Sequence, residues 1–171
     1  LGSAALLAAG AARAQDKPAL RFSAVFSEQD IRAGMIKMFA ESIAGDFTLQ
    51  PYYGGTLFKQ GTELVAMQRG NLEMGNIAPQ DVAKQIPAWS LLTAAYLFRD
   101  ADHLAKFFAG DLGAQMSRMV EDQLGIRILG PTYFGARQVG LKPTKKIDTP
   151  ADMAGIKLRM PSLFSFLSSM K

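Results

Sequence analysis

Leu20-Arg21-Phe22-Ser23-Ala24-Val25-Phe26 alternates between faces with a period of two and reads as a β-strand. The residues after it decide the fold. Ser27 stands as a helix cap with Asp30 three residues on. Ile31, Met35, Phe39 and Ile43 then recur on one helical face until Gly45 ends the run. Phe47–Tyr53 reads as a second strand closed by Gly54-Gly55, Thr62–Arg69 as a short helix stopped by Gly70, and Leu72–Ile77 as a third strand. The order β-α-β-α-β predicts a mainly parallel sheet with helices on both faces, an α/β fold.

Further along, Pro79 and Pro87 punctuate a region that runs into the apolar Ser90–Phe98 segment. Asp100–Ala109 and Asp111–Leu124 read as helices. Gly125–Leu129 reads as a short buried strand before the Gly130-Pro131 turn, and Arg137–Leu141 as another strand. In Thr149-Pro150-Ala151-Asp152 the threonine caps a helical turn, proline fits its first position, and a carboxylate suits its start. Gly155 closes that turn. Ile156–Met160 then reads as a strand with Arg159 at its end, just before Pro161, where a guanidinium can grip a carboxylate with two parallel hydrogen bonds.

The 171 residues suit a single domain by length, and 49% hydrophobic with 20% charged residues describes a globular chain. Lys plus Arg number 19 against 15 for Asp plus Glu, with no long block of like charge, so nothing resembles a nucleic-acid face; mild basicity suits a small anionic ligand. Zero cysteines excludes disulfides and thiol catalysis, and a lone histidine argues against a transition-metal site. No cofactor and no metal is called for. Leu1–Ala14 carries a short apolar run and ends in the A-x-A pattern Ala12-Arg13-Ala14, which reads as a truncated signal peptide with the mature chain starting near Gln15.

These stretches together resemble the periplasmic solute-binding subunits of TRAP transporters, the DctP type. The resemblance rests on Gly54-Gly55-Thr56-Leu57, Glu63-Leu64-Val65, Arg69 to Gly75, Ala95 to His103, Gly125 to Gly130, Gly135-Ala136-Arg137 and Asp148 to Pro161, in the family order. It implies two α/β lobes around a cleft, with residues 15–130 as the first lobe and 131–171 as the incomplete start of the second. The crossing would fall near Gly130–Gly135. It also implies an organic-acid ligand with a carboxylate, export to the periplasm, and delivery to the membrane permease of a TRAP transporter, driven by an ion gradient.

Four residues stand as site candidates. As residues, Arg159 is a strand-end cation and Arg137 a turn cation beside Tyr133-Phe134, and a solvated surface role competes for each. The resemblance makes Arg159 the main clamp on the ligand carboxylate and Arg137 a second ligand-contacting arginine. Asn76 and Gln80 flank Ile77-Ala78-Pro79 beyond the third strand, where amides can read hydroxyls or a second carboxylate, or serve as loop residues. Tyr52, Tyr53, Trp89 and Tyr96 read as core aromatics sooner than as ligand platforms.

Two other readings compete with solute binding. One is an exported enzyme with His103 as acid or base beside Asp102 or Glu73, against which stands the absence of a nucleophile constellation. The bland reading of His103 is a residue in the capping region of a helix. The other is a non-functional remnant of a binding protein, since Ser162–Lys171 departs from the family pattern.

Overall fold

The computed structural model describes residues 17–136, 138, 140–142 and 146–157. Leu1–Ala14, Arg137 and Arg159 therefore lie outside the described residues, as does most of the strand expected over Ile156–Met160. The chain divides into two compact units, and the boundary falls after Asn76.

The first unit is the predicted β-α-β-α-β array. Strand β1 (Ala19–Ser23) lies in the middle of a three-stranded sheet of order β2-β1-β3, with β2 (Thr48–Tyr52) and β3 (Met74–Gly75) both parallel to it. Helix α1 (Ile31–Ile43) crosses from β1 to β2, and α2 (Glu63–Gln68) precedes β3. Ala24, Phe26, Ala33 and Ile36 form the core, with Phe22, Leu49 and Tyr53 packed against it. β3 is shorter than the Leu72–Ile77 run suggests. Only Met74 and Gly75 reach a partner strand, opposite Phe22 and Ser23.

Two expectations about α1 are corrected. Its cap is Asp30, whose carboxylate accepts the Arg32 backbone N–H at 3.0 Å, not Ser27. Its buried face carries Ala33 and Ile36, whereas Ile31 is 90% and Met35 44% exposed. A helix apolar on more than one side gives two candidate stripes, and packing against Phe22, Leu49 and Tyr53 selects the one with Ala33 and Ile36.

The second unit begins with α3 (Pro79–Ala83) and a 3-10 helix over Pro87–Thr93. Each of the two prolines that punctuate this region occupies the first turn of its helix, where its missing N–H costs nothing. Helices α4 (Ala101–Ala109) and α5 (Asp111–Leu124) lie where the periodicity puts them. Gly113, Met116, Val120 and Leu124 form the buried stripe of α5, and Gly125 ends it with φ of 67°. Trp89 is buried, and its indole N–H donates to the Met116 carbonyl at 3.1 Å. Gly125–Leu129 is not a strand: Ile126 is buried, but Leu129 is 70% exposed and the segment joins no ladder among the described residues. An apolar run alone does not supply the neighbouring strand that a ladder needs. Of Arg137–Leu141, Gln138, Gly140 and Leu141 are irregular.

Near the end of the described chain, Pro150–Met153 forms the expected capped turn. The Asp152 carboxylate accepts from the Thr149 N–H at 2.8 Å, the Thr149 hydroxyl at 2.9 Å and the Asp148 N–H at 3.1 Å. These bonds hold its carboxyl below the usual range, the Thr149 backbone contributing most. Among the described residues, no helix is long and apolar enough to cross a membrane.

The α4–α5 corner turns on Gly113. A Cβ there would lie 2.4 Å from both the Phe107 carbonyl oxygen and the Phe108 Cα, which are backbone atoms and cannot rotate away. Gly113→Ala should therefore destabilise this unit by about 1–3 kcal/mol, the usual cost of forced overpacking. Unfolding followed by the fluorescence of Trp89, the single tryptophan, measures it; an unchanged midpoint would contradict the close approach.

Candidate functional site

In a parallel sheet ligands collect beyond the carboxyl ends of the strands, where neighbouring connections leave in opposite directions. In the first unit β1 is flanked by β2 on one side and β3 on the other, so the chain's second crossover passes over β1. The carboxyl ends of all three strands bring together the turn after Ser23, the Tyr53-Gly54-Gly55 corner and Asn76.

This rim is tied by backbone bonds that continue the ladder past the strands. The Gly54 N–H donates to the Phe26 carbonyl at 2.8 Å and the Gly55 N–H to the Ala24 carbonyl at 3.0 Å. Both glycines have positive φ, 67° and 66°, so the corner needs residues without a Cβ penalty. Asn76 donates its N–H to the Ser23 carbonyl at 3.3 Å, which places it directly beyond β3 as a half-buried residue. Gln80 is the second residue of α3, in the other unit, and is also half-buried.

Two forked ion pairs brace the first unit. The Arg21 guanidinium holds Glu73 through Nε to Oε2 at 2.8 Å and Nη2 to Oε1 at 2.6 Å, and the Arg21 backbone N–H adds a third bond at 2.9 Å. Asp30 receives Arg32 Nε at 2.8 Å and Nη2 at 2.7 Å, and the guanidinium carbon stands 4.0 Å over the Phe26 ring. Side-chain hydrogen bonds from Arg21 and Arg32 are the main reason that Glu73 and Asp30 are each lowered to about 2. The Tyr53 phenol is pushed up by burial, with Glu28 adding to the effect, and its ring meets Phe26 at 6.1 Å.

Two features of this rim have no counterpart in the sequence pattern. The Ser23 hydroxyl is buried, the residue being 1% exposed, and has no hydrogen-bond partner, although nothing in an alternating strand distinguishes it from an ordinary core serine. Arg32 reads as a surface helix residue until the turn folds it onto Phe26. The aromatic expectation holds for Trp89 and Tyr53 and fails for Tyr96, which is fully exposed with φ of 61°. The His103 backbone N–H donates to the Asp100 carboxylate at 2.7 Å, which places His103 in the capping region read from the sequence. Two surface clefts of about 340 Å³ occur in the first unit, one bordered by Glu28, Lys37 and Tyr53 and the other by Thr62, Arg69 and Asn71; neither includes Asn76.

The family model described as bacterial extracellular solute-binding protein, family 7 (DctP), matches residues 23–170. The chain belongs to this family. A solute-binding protein of Roseobacter denitrificans is 24% identical over 95% of this chain and 50% of its own length. The 2,3-diketo-L-gulonate-binding periplasmic protein of Escherichia coli is 27% identical over 82% of this chain and 43% of its own. Among solved structures, a TRAP periplasmic solute-binding protein of Roseobacter denitrificans with bound 3-deoxy-D-manno-oct-2-ulosonic acid is similar with a TM-score of 0.84 and 38% identity. It covers 90% of this chain, which spans 52% of that one. The chain thus spans about half the length of the curated relatives it matches. The family consists of solute-binding proteins rather than enzymes, and its relatives include periplasmic binding proteins. The α/β fold with a parallel sheet, expected from the pattern, agrees with these neighbours.

The lowered Glu73 carboxyl carries a pH consequence. Its ordinary value is 4.5 and its folded value about 2, so the unfolded chain takes up the proton first as pH falls. The stability it contributes is complete above about pH 4.5 and is lost as pH drops through about 2. Glu73→Gln should flatten this part of the acid unfolding profile, checked by midpoint measurements across that window.

Proposed function

We propose that this chain captures a sugar acid in the periplasm as the solute-binding part of a TRAP transporter and hands it to the membrane permease for ion-gradient-driven uptake. The observation that carries this reading is the 38% identity, over 90% of the chain, with a binding protein holding 3-deoxy-D-manno-oct-2-ulosonic acid. Family members with galactonate and glucuronate bound share the fold. An acid of this kind has one carboxylate and a row of hydroxyls, and the four residues singled out in the sequence divide into those two chemistries.

In this reading Arg159 grips the carboxylate as a fork and Arg137 supplies a second cation, while Asn76 and Gln80 read hydroxyls. Two arginines around one carboxylate discriminate strongly for an anion, because desolvating both without it is costly. Residues 15–130 make the first lobe and residues 131–171 open the second. Leu1–Ala14 serves as the export signal.

Thermal unfolding with a panel of sugar acids, dicarboxylates and monocarboxylates tests the class. A ligand at a hundredfold its Kd adds about 2.7 kcal/mol, so a sugar acid should raise the midpoint clearly where acetate does not. Arg159→Ala should remove most of that shift, and Arg159→Lys should keep the charge but lose the paired hydrogen bonds. An unaltered Kd in Arg159→Ala would sink the clamp assignment.

A further inference from the structure

We propose that Asp30, Arg32 and Phe26 form a clasp that positions the Ala24–Asp30 turn as a wall of the ligand site, setting ligand affinity rather than holding the fold. The proposal rests on the solute-binding reading above. The turn leaves the carboxyl end of the central strand β1, on the rim where the three strands end.

The chemistry of the clasp exceeds what helix capping requires. Asp30 caps α1 with one oxygen by accepting the Arg32 N–H, and an asparagine would do this as well. The same carboxylate also receives both arms of the Arg32 guanidinium, at 2.8 and 2.7 Å. Arg32 stands in the first turn of α1, where a cation opposes the helix dipole, so helix stability does not explain its presence. What it covers does. Its guanidinium lies over Phe26, and the Phe26 carbonyl takes the Gly54 N–H while its ring meets Tyr53. Both clasp side chains are largely covered, 18% and 23% exposed, so the pair is shielded from the screening that weakens surface ion pairs. One guanidinium thereby fixes the start of α1, the turn after β1 and, through Phe26, the corner after β2. A ligand entering this rim meets a wall already ordered and does not have to order it on binding.

The test uses the full chain with 3-deoxy-D-manno-oct-2-ulosonic acid as the probe. Arg32→Met keeps an apolar stem over Phe26 and removes the fork; Asp30→Asn keeps the cap and removes the ionic acceptor. Each should raise Kd about 5- to 10-fold, with most of the change in the dissociation rate. The double variant should be no worse than either single one, because both break the same unit. Arg32→Lys, which restores the charge over the ring, should recover part of the affinity. Titrations run well below the unfolding midpoint separate affinity from stability. Variants that bind as tightly as the wild type while melting earlier overturn the proposal, the clasp then being structural only. A wild-type chain that binds no acid in the panel overturns the solute-binding reading itself, and the clasp proposal with it.

Discussion

The Arg21 guanidinium and the Glu73 carboxylate hold the first unit's sheet together where its ladder is weakest. β3 contributes only Met74 and Gly75 to the sheet, too little for backbone pairing to set a register alone. The fork from Arg21, joined by its own backbone N–H, fixes the residue just before β3 against the middle of β1. A single-residue slip would turn Met74 to the opposite face and break all three bonds together. Asn76 is delivered beyond Ser23 because this register is held. Exposed ion pairs commonly contribute little, but a bidentate geometry that also takes a backbone donor is the kind that does contribute.

A similar economy appears beyond the carboxyl end of β1. One carboxylate, Asp30, caps α1 and anchors Arg32, and that arginine lies over the core ring of Phe26. Polar groups near the strand ends thus carry packing and position at once. The unpartnered Ser23 hydroxyl is the exception among the described residues, a buried polar group whose usual cost is about 1–3 kcal/mol. The structure offers no compensating contact for it.

Much of the architecture was legible in the chain itself. Alternation over Leu20–Phe26 locates β1, which ends earlier, at Ser23, while the glycine stops at Gly54-Gly55 and Gly70 and the cap at Thr149 mark real element ends. Local signals failed where the outcome depended on a distant partner. The Gly125–Leu129 run has the composition of a strand and no strand beside it among the described residues. The apolar residues of α1 allow two buried faces, and contact with Leu49, Phe22 and Tyr53 selects one. Tyr96 has the character of a core residue and is fully exposed, for which the structure provides no packing reason.

By itself the sequence determined the β-α-β-α-β order of the first unit, the helices Ala101–Ala109 and Asp111–Leu124, the glycine stops, and the family motifs with their arginines and amides, because these depend on residues a few positions apart. Only the tertiary structure decided the pairing of Arg21 with Glu73, 52 residues apart, the folding of Arg32 onto Phe26, and the burial of Ser23. Local periodicity records which face of an element is apolar. It does not record which polar groups meet across the sheet, and those meetings, fixed by register and close packing, build the rim where a ligand would sit.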